Sequence, residues 1–317
     1  MTNAVIIAQQ GANNTTFRNR IINGAMGIWQ RGTSSTSAGY QTADRWYENA
    51  SNTTTFAQET SNLPSGFQYA LKLTAGATAQ MWIQQPIETK NCYDLQGQSV
   101  TLSVYLAASV STSVTLYLYY STSTDNPAAG SWTAVSSSTV TATSSYARYT
   151  VTFTVPSNAL TIMPQIITTS TVSNGTILYI TGVQLEAGTT ASPFEYRSYG
   201  VELALCQRYY YKNLPGASNS PLGTGPCVST TASYQMTPFP VAMRIAPTAL
   251  EQSGTAADYN TLHAGSTYVN NAVPTFIVAN TFAASSQFAN AGAMNSVGGA
   301  MARTNSTTGY LAWSAEL

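Results

Sequence analysis

The sequence predicts an all-β protein, with an extended N-terminal leader, a central antiparallel β-sandwich and a small C-terminal β-sandwich-like domain. Three observations carry this. Stretches of Val, Ile, Leu, Phe and Tyr alternate with Ser and Thr at period two, the pattern of strands with one buried and one wetter face. No stretch sustains an apolar stripe at the helical period of 3.6 residues, and no heptads occur. Composition agrees: of 317 residues, 44% are hydrophobic and 11% aromatic but only 8% charged, against about 25% charged in an ordinary soluble protein. Ser and Thr supply the polarity that charge usually supplies, and a chain this rich in β-branched and aromatic residues is not a disordered one.

Residues 1–38 read as a leader of Asn, Gln, Thr and Gly with one apolar patch, ended by STSAG at 35–39. The clearest strands follow at 67–75, 99–107, 113–121, 148–155 and 176–185. In the second of these Val100, Leu102, Val104 and Leu106 alternate with Thr101, Ser103 and Tyr105. The second and third are read as one hairpin closing near 107–113. A turn cluster, STSTDNPAAG, fills 121–130. Residues 201–210 fit either a short helix or a strand. A second domain begins at 198, with a Pro/Gly-rich stretch at 214–226, strand-like runs broken by Pro238 and Pro240, and a strand at 275–279. Its tail ends on YLAW at 310–313, read as a closing edge strand. The expected domains are therefore 1–38, 39–197 and 198–317. No internal repeat of solenoid or β-helix period is present.

Charge excludes several classes. Lys+Arg and Asp+Glu are both 12, so there is no basic field for nucleic acid and no polybasic patch for anionic lipid. The opening residues carry no basic region followed by a long apolar run, so no signal peptide is expected, and no window approaches a membrane span. Cys92, Cys206 and Cys227 show no metal-binding or disulfide spacing, and His263 is the only histidine. A Ser/His/Asp arrangement would have to use it, without a GxSxG turn, and no phosphate-binding glycine loop occurs. The expectation is a non-enzymatic protein without metal or cofactor. Two carboxylates for glycoside hydrolysis remain available among the twelve acids, which keeps a capsule depolymerase as a further alternative.

The leader raises a specific question. Arg18, Arg20 and Arg31 precede the first acid of the chain, Asp44. Together NRIING (19–24), WQRG (29–32), ADRWY (43–47), VQLEAG (183–188), SPFEYRSYGVELALCQRYY (192–210) and the closing GYLAWSAEL resemble tail fibre proteins of tailed bacteriophages. The resemblance brackets nearly the whole chain. It implies a homotrimeric receptor-binding appendage of the virion, made in the host cytoplasm. It also implies a central jelly roll similar to carbohydrate-binding modules, and docking to the baseplate or another virion protein through the leader. Arg18, Arg20, Asn23, Trp29, Arg31 and Arg45 are the anchor candidates, the arginines expected to meet carboxylates of a neighbouring subunit or the virion. A structural piece of the baseplate, collar or neck that touches no receptor is the alternative. Where related modules hold calcium with an acid in the last strand, Thr181 and Gly182 stand here, and no ion is expected.

Candidate ligand contacts fall in two places. Tyr117 and Tyr119 lie opposite the apolar face of their strand, and the hairpin reading puts Tyr105 diagonally beside them. Such a tyrosine face suits either a sugar platform or a subunit interface. In the second domain Tyr259, His263 and Tyr268, among Asn and Ser, read as a loop cluster facing a host glycan. Tyrosines 209–211 read as strand and interface, because successive residues face opposite sides.

Overall fold

A computed structural model describes residues 17–125, 132–290, 292, 294–296 and 298–317. The first sixteen residues of the expected leader and the second half of the 121–130 turn lie outside them. The chain divides into two compact units, one reaching Glu202 and one comprising Leu203–Glu316. The division falls five residues beyond the expected boundary, inside the helix α1 (Tyr199–Gln207).

The first unit is a jelly-roll sandwich of eleven strands. They are β1 (Ser34–Ser35), β2 (Tyr47–Ala50), β3 (Thr54–Glu59), β4 (Ala70–Ala75), β5 (Met81–Gln84), β6 (Ser99–Ala108), β7 (Thr112–Ser121), β8 (Thr133–Ala142), β9 (Ala147–Thr154), β10 (Thr161–Thr168) and β11 (Ile177–Ala187). One sheet has the order β1-β3-β4-β11-β6-β9 and the other β2-β5-β10-β7-β8, all pairs antiparallel. Between them lies one core: Phe56, Leu71, Leu73, Leu102, Val104, Leu178 and Ile180 from the first sheet meet Ile83, Val114, Leu116, Leu118 and Ile166 from the second. Each of these side chains contributes about 1.5–3 kcal/mol by leaving water.

The hairpin expected from 99–121 does not form. β6 pairs with β9 and β11, and β7 with β8 and β10, so consecutive strands belong to opposite sheets. Alternation specifies which face of each strand is buried, and both β6 and β7 bury theirs. It carries no information on whether two such faces lie side by side or look at each other across the core. Tyr105 is thereby separated from Tyr117 and Tyr119 by the thickness of the sandwich, on the opposite outer face.

The described part of the leader is not an extended arm. β4 pairs with β11 only as far as Ile180. Beyond that point the leader takes the place of β4: the Arg20 amide donates to Leu185 O at 2.8 Å and the Val183 amide to Gly24 O at 2.9 Å. Asn19 reinforces the junction, its Oδ1 accepting from the Ile21 and Leu185 amides and its Nδ2 donating to Val183 O. Ile21, Met26 and Ile28 are buried as a result. Asn23, at φ 58°, ties off the turn that follows, bonding Ile28 through its amide nitrogen and oxygen and donating to Asp44 O. Trp46 Nε1 donates to Asn23 O, and Trp29 Nε1 to Met26 O. Three of the four arginines find partners within the unit. Arg20 makes a two-point pair with Asp94 at 2.6 and 3.1 Å. Arg45 is buried and donates to Pro86 O. Arg31 lies 5.7 Å over the Tyr40 ring, and Arg18 is half-buried. The apolar residues between these arginines make the segment part of the sandwich, and Arg20, Arg31 and Arg45 spend their contacts inside it, where the expectation had set them against a neighbouring subunit or the virion.

The second unit packs a three-stranded sheet on a seven-stranded one. Its strands are β12 (Tyr210–Asn213), β13 (Pro221–Pro226), β14 (Ala232–Pro238), β15 (Glu251–Gln252), β16 (Tyr259–His263), β17 (Ser266–Val269), β18 (Thr275–Ala279), β19 (Ala283–Ala289), β20 (Gly299–Thr304) and β21 (Leu311–Ser314). The orders are β12-β21-β15 and β17-β16-β20-β13-β14-β19-β18. Trp313 and Leu311 of the small sheet pack with Leu222, Tyr259, Phe288 and Ala302 of the large one. The terminal YLAW strand is thus central in its sheet, not an edge: β12 and β15 flank β21, and Trp313 is fully buried.

Candidate functional site

The outer face of the β2-β5-β10-β7-β8 sheet is the most distinctive surface of the first unit. Register places Tyr47, Gln84, Gln165, Tyr117 and Ser137 in one row across the five strands. Asn49, Trp82, Ile167, Thr115 and Thr139 form the next row. Tyr119 stands opposite Met163, on the other side of the first row. With strands about 4.8 Å apart, Tyr47 and Tyr117 are separated by three spacings, roughly 14 Å. The inward residues between them, Met81, Ile83, Leu116 and Leu118, are fully buried, which fixes the outward direction of Trp82, Gln84, Tyr117 and Tyr119.

The rings of Tyr117 and Tyr119 stack at 5.3 Å with 27° between their planes. Burial, and then the neighbouring Tyr117, raise the Tyr119 phenol above its ordinary value, so it remains a neutral hydroxyl. Gln165 Nε2 donates to Gln84 Oε1 at 2.8 Å, which leaves the Gln84 nitrogen and the Gln165 oxygen without a hydrogen bond among the described residues. The hydroxyls of Tyr47, Tyr117 and Tyr119 and the indole N–H of Trp82 make no hydrogen bond among the described residues. β5, β7, β8 and β10 contain no charged residue at all. The face therefore combines aromatic rings with unengaged neutral donors and acceptors and no fixed charge. Apolar C–H surfaces stack on such rings, and hydroxyl groups fill such hydrogen-bonding positions.

One acid lies beneath this face. Glu48 of β2 points inward between Tyr47 and Asn49 and is completely buried. Burial pushes its carboxyl up to about 8, and hydrogen bonding to Thr42 and Ala43 with the charge of Arg31 pulls it back only in part. Folding thus takes up a proton above pH 4.5, and this contribution to stability is complete below that pH and is lost as pH rises through 8. Glu59 acts in the opposite sense. Burial raises its carboxyl, but donors from Ser61 and Asn62 and the Lys72 charge outweigh that and hold it at about 2, so its contribution is lost as pH falls through 2. Unfolding free energy of the first unit is expected to fall by on the order of 3 kcal/mol between pH 5 and 8. Glu48→Gln should abolish this fall, as measured by urea denaturation at the two pH values; an unchanged slope would assign the titration to another group.

The remaining candidates stand elsewhere. Tyr105 is on the opposite sheet, under the Phe67 ring at 5.2 Å and beside Arg148 at 5.9 Å. In the second unit, residues 259–269 are not a loop cluster but the hairpin β16–β17, turning at Ala264 (φ 49°) and Gly265 (φ 81°), the two-residue turn with both φ positive. Tyr259 faces inward and is fully buried; its hydroxyl donates to Tyr310 O at 2.7 Å and accepts from the Ser253 amide. His263 is buried too, its Nδ1 2.9 Å from Gly299 O and 3.4 Å from Cys227 Sγ. Tyr268 packs on Cys227, Met294 and Ala300. Asn and Ser in this stretch suggest a loop, but here they are polar residues inside a sheet, so the first two residues offer a ligand no surface. The three cysteines are free and buried. Among the described residues no cluster of His, Cys, Asp and Glu could hold a metal. At the position considered for calcium, Thr181 donates to Tyr69 O, and Gly182, at φ 60°, lies where any Cβ would strike Phe67 and Tyr105.

No protein-family profile and no curated protein matches the chain. Among solved structures it is similar to a family 4 carbohydrate-binding module (15% identity, TM-score 0.36, covering 52% of this chain and 98% of that one). A family 61 module in complex with β-1,4-galactotriose is similar at 12% identity and TM-score 0.37, covering 54% and 99%. The enzymatically active domain of tailspike protein 4 of bacteriophage CBA120 matches at 12% identity and TM-score 0.38, covering 54% of this chain and 22% of that one.

Proposed function

We propose that the chain is a glycan-binding attachment protein whose first unit holds neutral polysaccharide on the outer face of β5, β10 and β7. The observation that carries this reading is the uncharged strip of Tyr47, Trp82, Gln84, Gln165, Tyr117 and Tyr119, whose hydroxyls and indole N–H make no hydrogen bond among the described residues and whose two amides bond only each other. Binding there is recognition without chemistry, since no carboxylate stands on the outward positions of these strands. The setting we propose is a tail fibre of a bacteriophage, working as a homotrimer on host surface glycan; the resemblance of its sequence motifs to those of tail fibre proteins supports it. Single sugar sites are weak, and three per trimer would raise avidity through effective concentration.

A second reading, a structural virion component without a receptor, is favoured by one observation. The most extended of those motifs, 192–210, locks the sandwich to its leader through Glu195, Arg197 and Glu202, a role that any structural protein would need. The two readings separate in one experiment. Full-length protein is run through gels containing neutral host-type polysaccharides at 20 and 500 mM salt. Retardation that is equal at both salts is expected, because an uncharged face has nothing for ions to screen. Retardation lost at high salt would assign binding to another surface, and none with any glycan would favour the structural role. Release of reducing ends during the run would instead mark a depolymerase.

A further inference from the structure

On the opposite side of the sandwich a cleft of about 380 Å³ opens between the leader turn, the loop before β4 and the segment leading into α1. That size is within the range of small-molecule pockets, roughly 300–1,000 Å³. It is built on a feature of β11: the irregularity between Thr181 and Gln184 brings Gly182 to a positive φ, and the Phe67 ring settles on it in the absence of a side chain. Phe194 and Tyr196 close around Phe67 at 5.1 and 5.4 Å, and Tyr69 and Tyr199 complete the aromatic lining. The hydroxyls of Tyr69, Tyr196 and Tyr199 and the Gln68 amide make no hydrogen bond among the described residues. Arg197 is committed, spanning Ile21 O, Asn19 O and Glu202, as are Glu195 and Glu202, which accept the Asn19 and Asn23 amides. What remains for a guest is ring surface with phenol and amide groups, the same chemistry as the strip on the other sheet, but concave.

We infer that this cleft is a second carbohydrate subsite, one that takes the end of a glycan chain where the flat strip takes its length. The two sites look in opposite directions, so one unit engages two glycan chains instead of one chain twice. The cleft stands on its own geometry; only the two-chain consequence rests on the strip being a glycan site.

Saturation-transfer NMR on the full-length chain with galactose, glucose, rhamnose and N-acetylglucosamine tests it. Four proteins are compared: wild type, Trp82→Ala/Tyr117→Ala, Tyr196→Ala/Tyr199→Ala, and the combination. Tyr196 and Tyr199 are 58% and 69% exposed, so truncating them leaves the fold standing. At least one sugar is expected to show transfer in wild type and in the strip variant, reduced tenfold or more in the cleft variant. Transfer unaffected by the cleft variant overturns the inference while leaving the strip reading intact. Transfer lost in the cleft variant and kept in the strip variant supports the inference whatever becomes of the strip, whose reading is tested separately by polysaccharide retardation. No transfer to any sugar, with transfer to tetramethylammonium, would make the cleft a cation cage lined by rings and carboxylates and overturn the inference.

Discussion

Arg197→Ala is expected to lower the stability of the first unit by about 3–5 kcal/mol, the cost of removing one partner from a buried charged network. Its guanidinium is only 7% exposed and holds together pieces nearly 180 residues apart: Ile21 O at 3.0 Å, Asn19 O, Glu202 at 3.3 Å and Glu195 at 3.9 Å. Without it two carboxylates and two carbonyls lose their shared donor in a site largely closed to water. Domains of this size are stable by roughly 5–15 kcal/mol, so the variant should unfold at much lower urea concentration, with little change in m-value. Lysine should rescue part of the loss, because it restores charge but not the planar fork. A loss below 1 kcal/mol in equilibrium unfolding would show that the leader is held by its apolar contacts alone.

Glycan binding should respond to a different pair of residues. Trp82→Ala and Tyr117→Ala each remove a ring from the outward face without touching the core, whose Met81, Ile83, Leu116 and Leu118 remain in place. Central aromatic anchors typically contribute 2 kcal/mol or more each, so each single variant is expected to weaken polysaccharide binding at least thirtyfold and the double variant to abolish retardation in affinity gels. Gln165→Ala should cost less, near 1 kcal/mol, because it removes one hydrogen-bonding group and frees Gln84 to reorient. Melting temperatures within a few degrees of wild type would confirm that binding, not folding, was lost. Full retention of binding in the double variant would remove the strip from consideration.

The strands and the faces they bury are legible in the sequence, because alternation reports burial directly. Tyr117 and Tyr119 are legible as outward-facing for that reason, and the same signal in MWIQ at 81–84 points to Trp82 and Gln84, although so short a run does not stand out in the sequence. Sheet membership is not encoded at that range, so alternation alone sets Tyr105 beside Tyr117 although their strands belong to opposite sheets. The leader misleads for a related reason. Ile21, Met26 and Ile28 show neither a strand nor a helix period because they enter an irregular junction beside β11, fixed by Asn19 and Asn23 side chains. In the second unit Tyr259 and His263 are misread through composition: polar neighbours suggest a loop, yet in this low-charge chain Ser, Thr and Asn also fill sheets.

The clasp between leader and helix has a consequence for how the protein is made. Asn19 meets Glu195 across 176 positions and Asn23 meets Glu202 across 179. A ribosome adding 5–20 residues per second needs about 10–40 s to travel from one to the other. Through most of that interval the isoleucines of the leader have no finished seat, because β11, beside which they pack, has not yet been made. The first unit thus closes late, from its two ends inward, and nascent chains stopped before residue 202 should be caught by chaperones in an unclosed form.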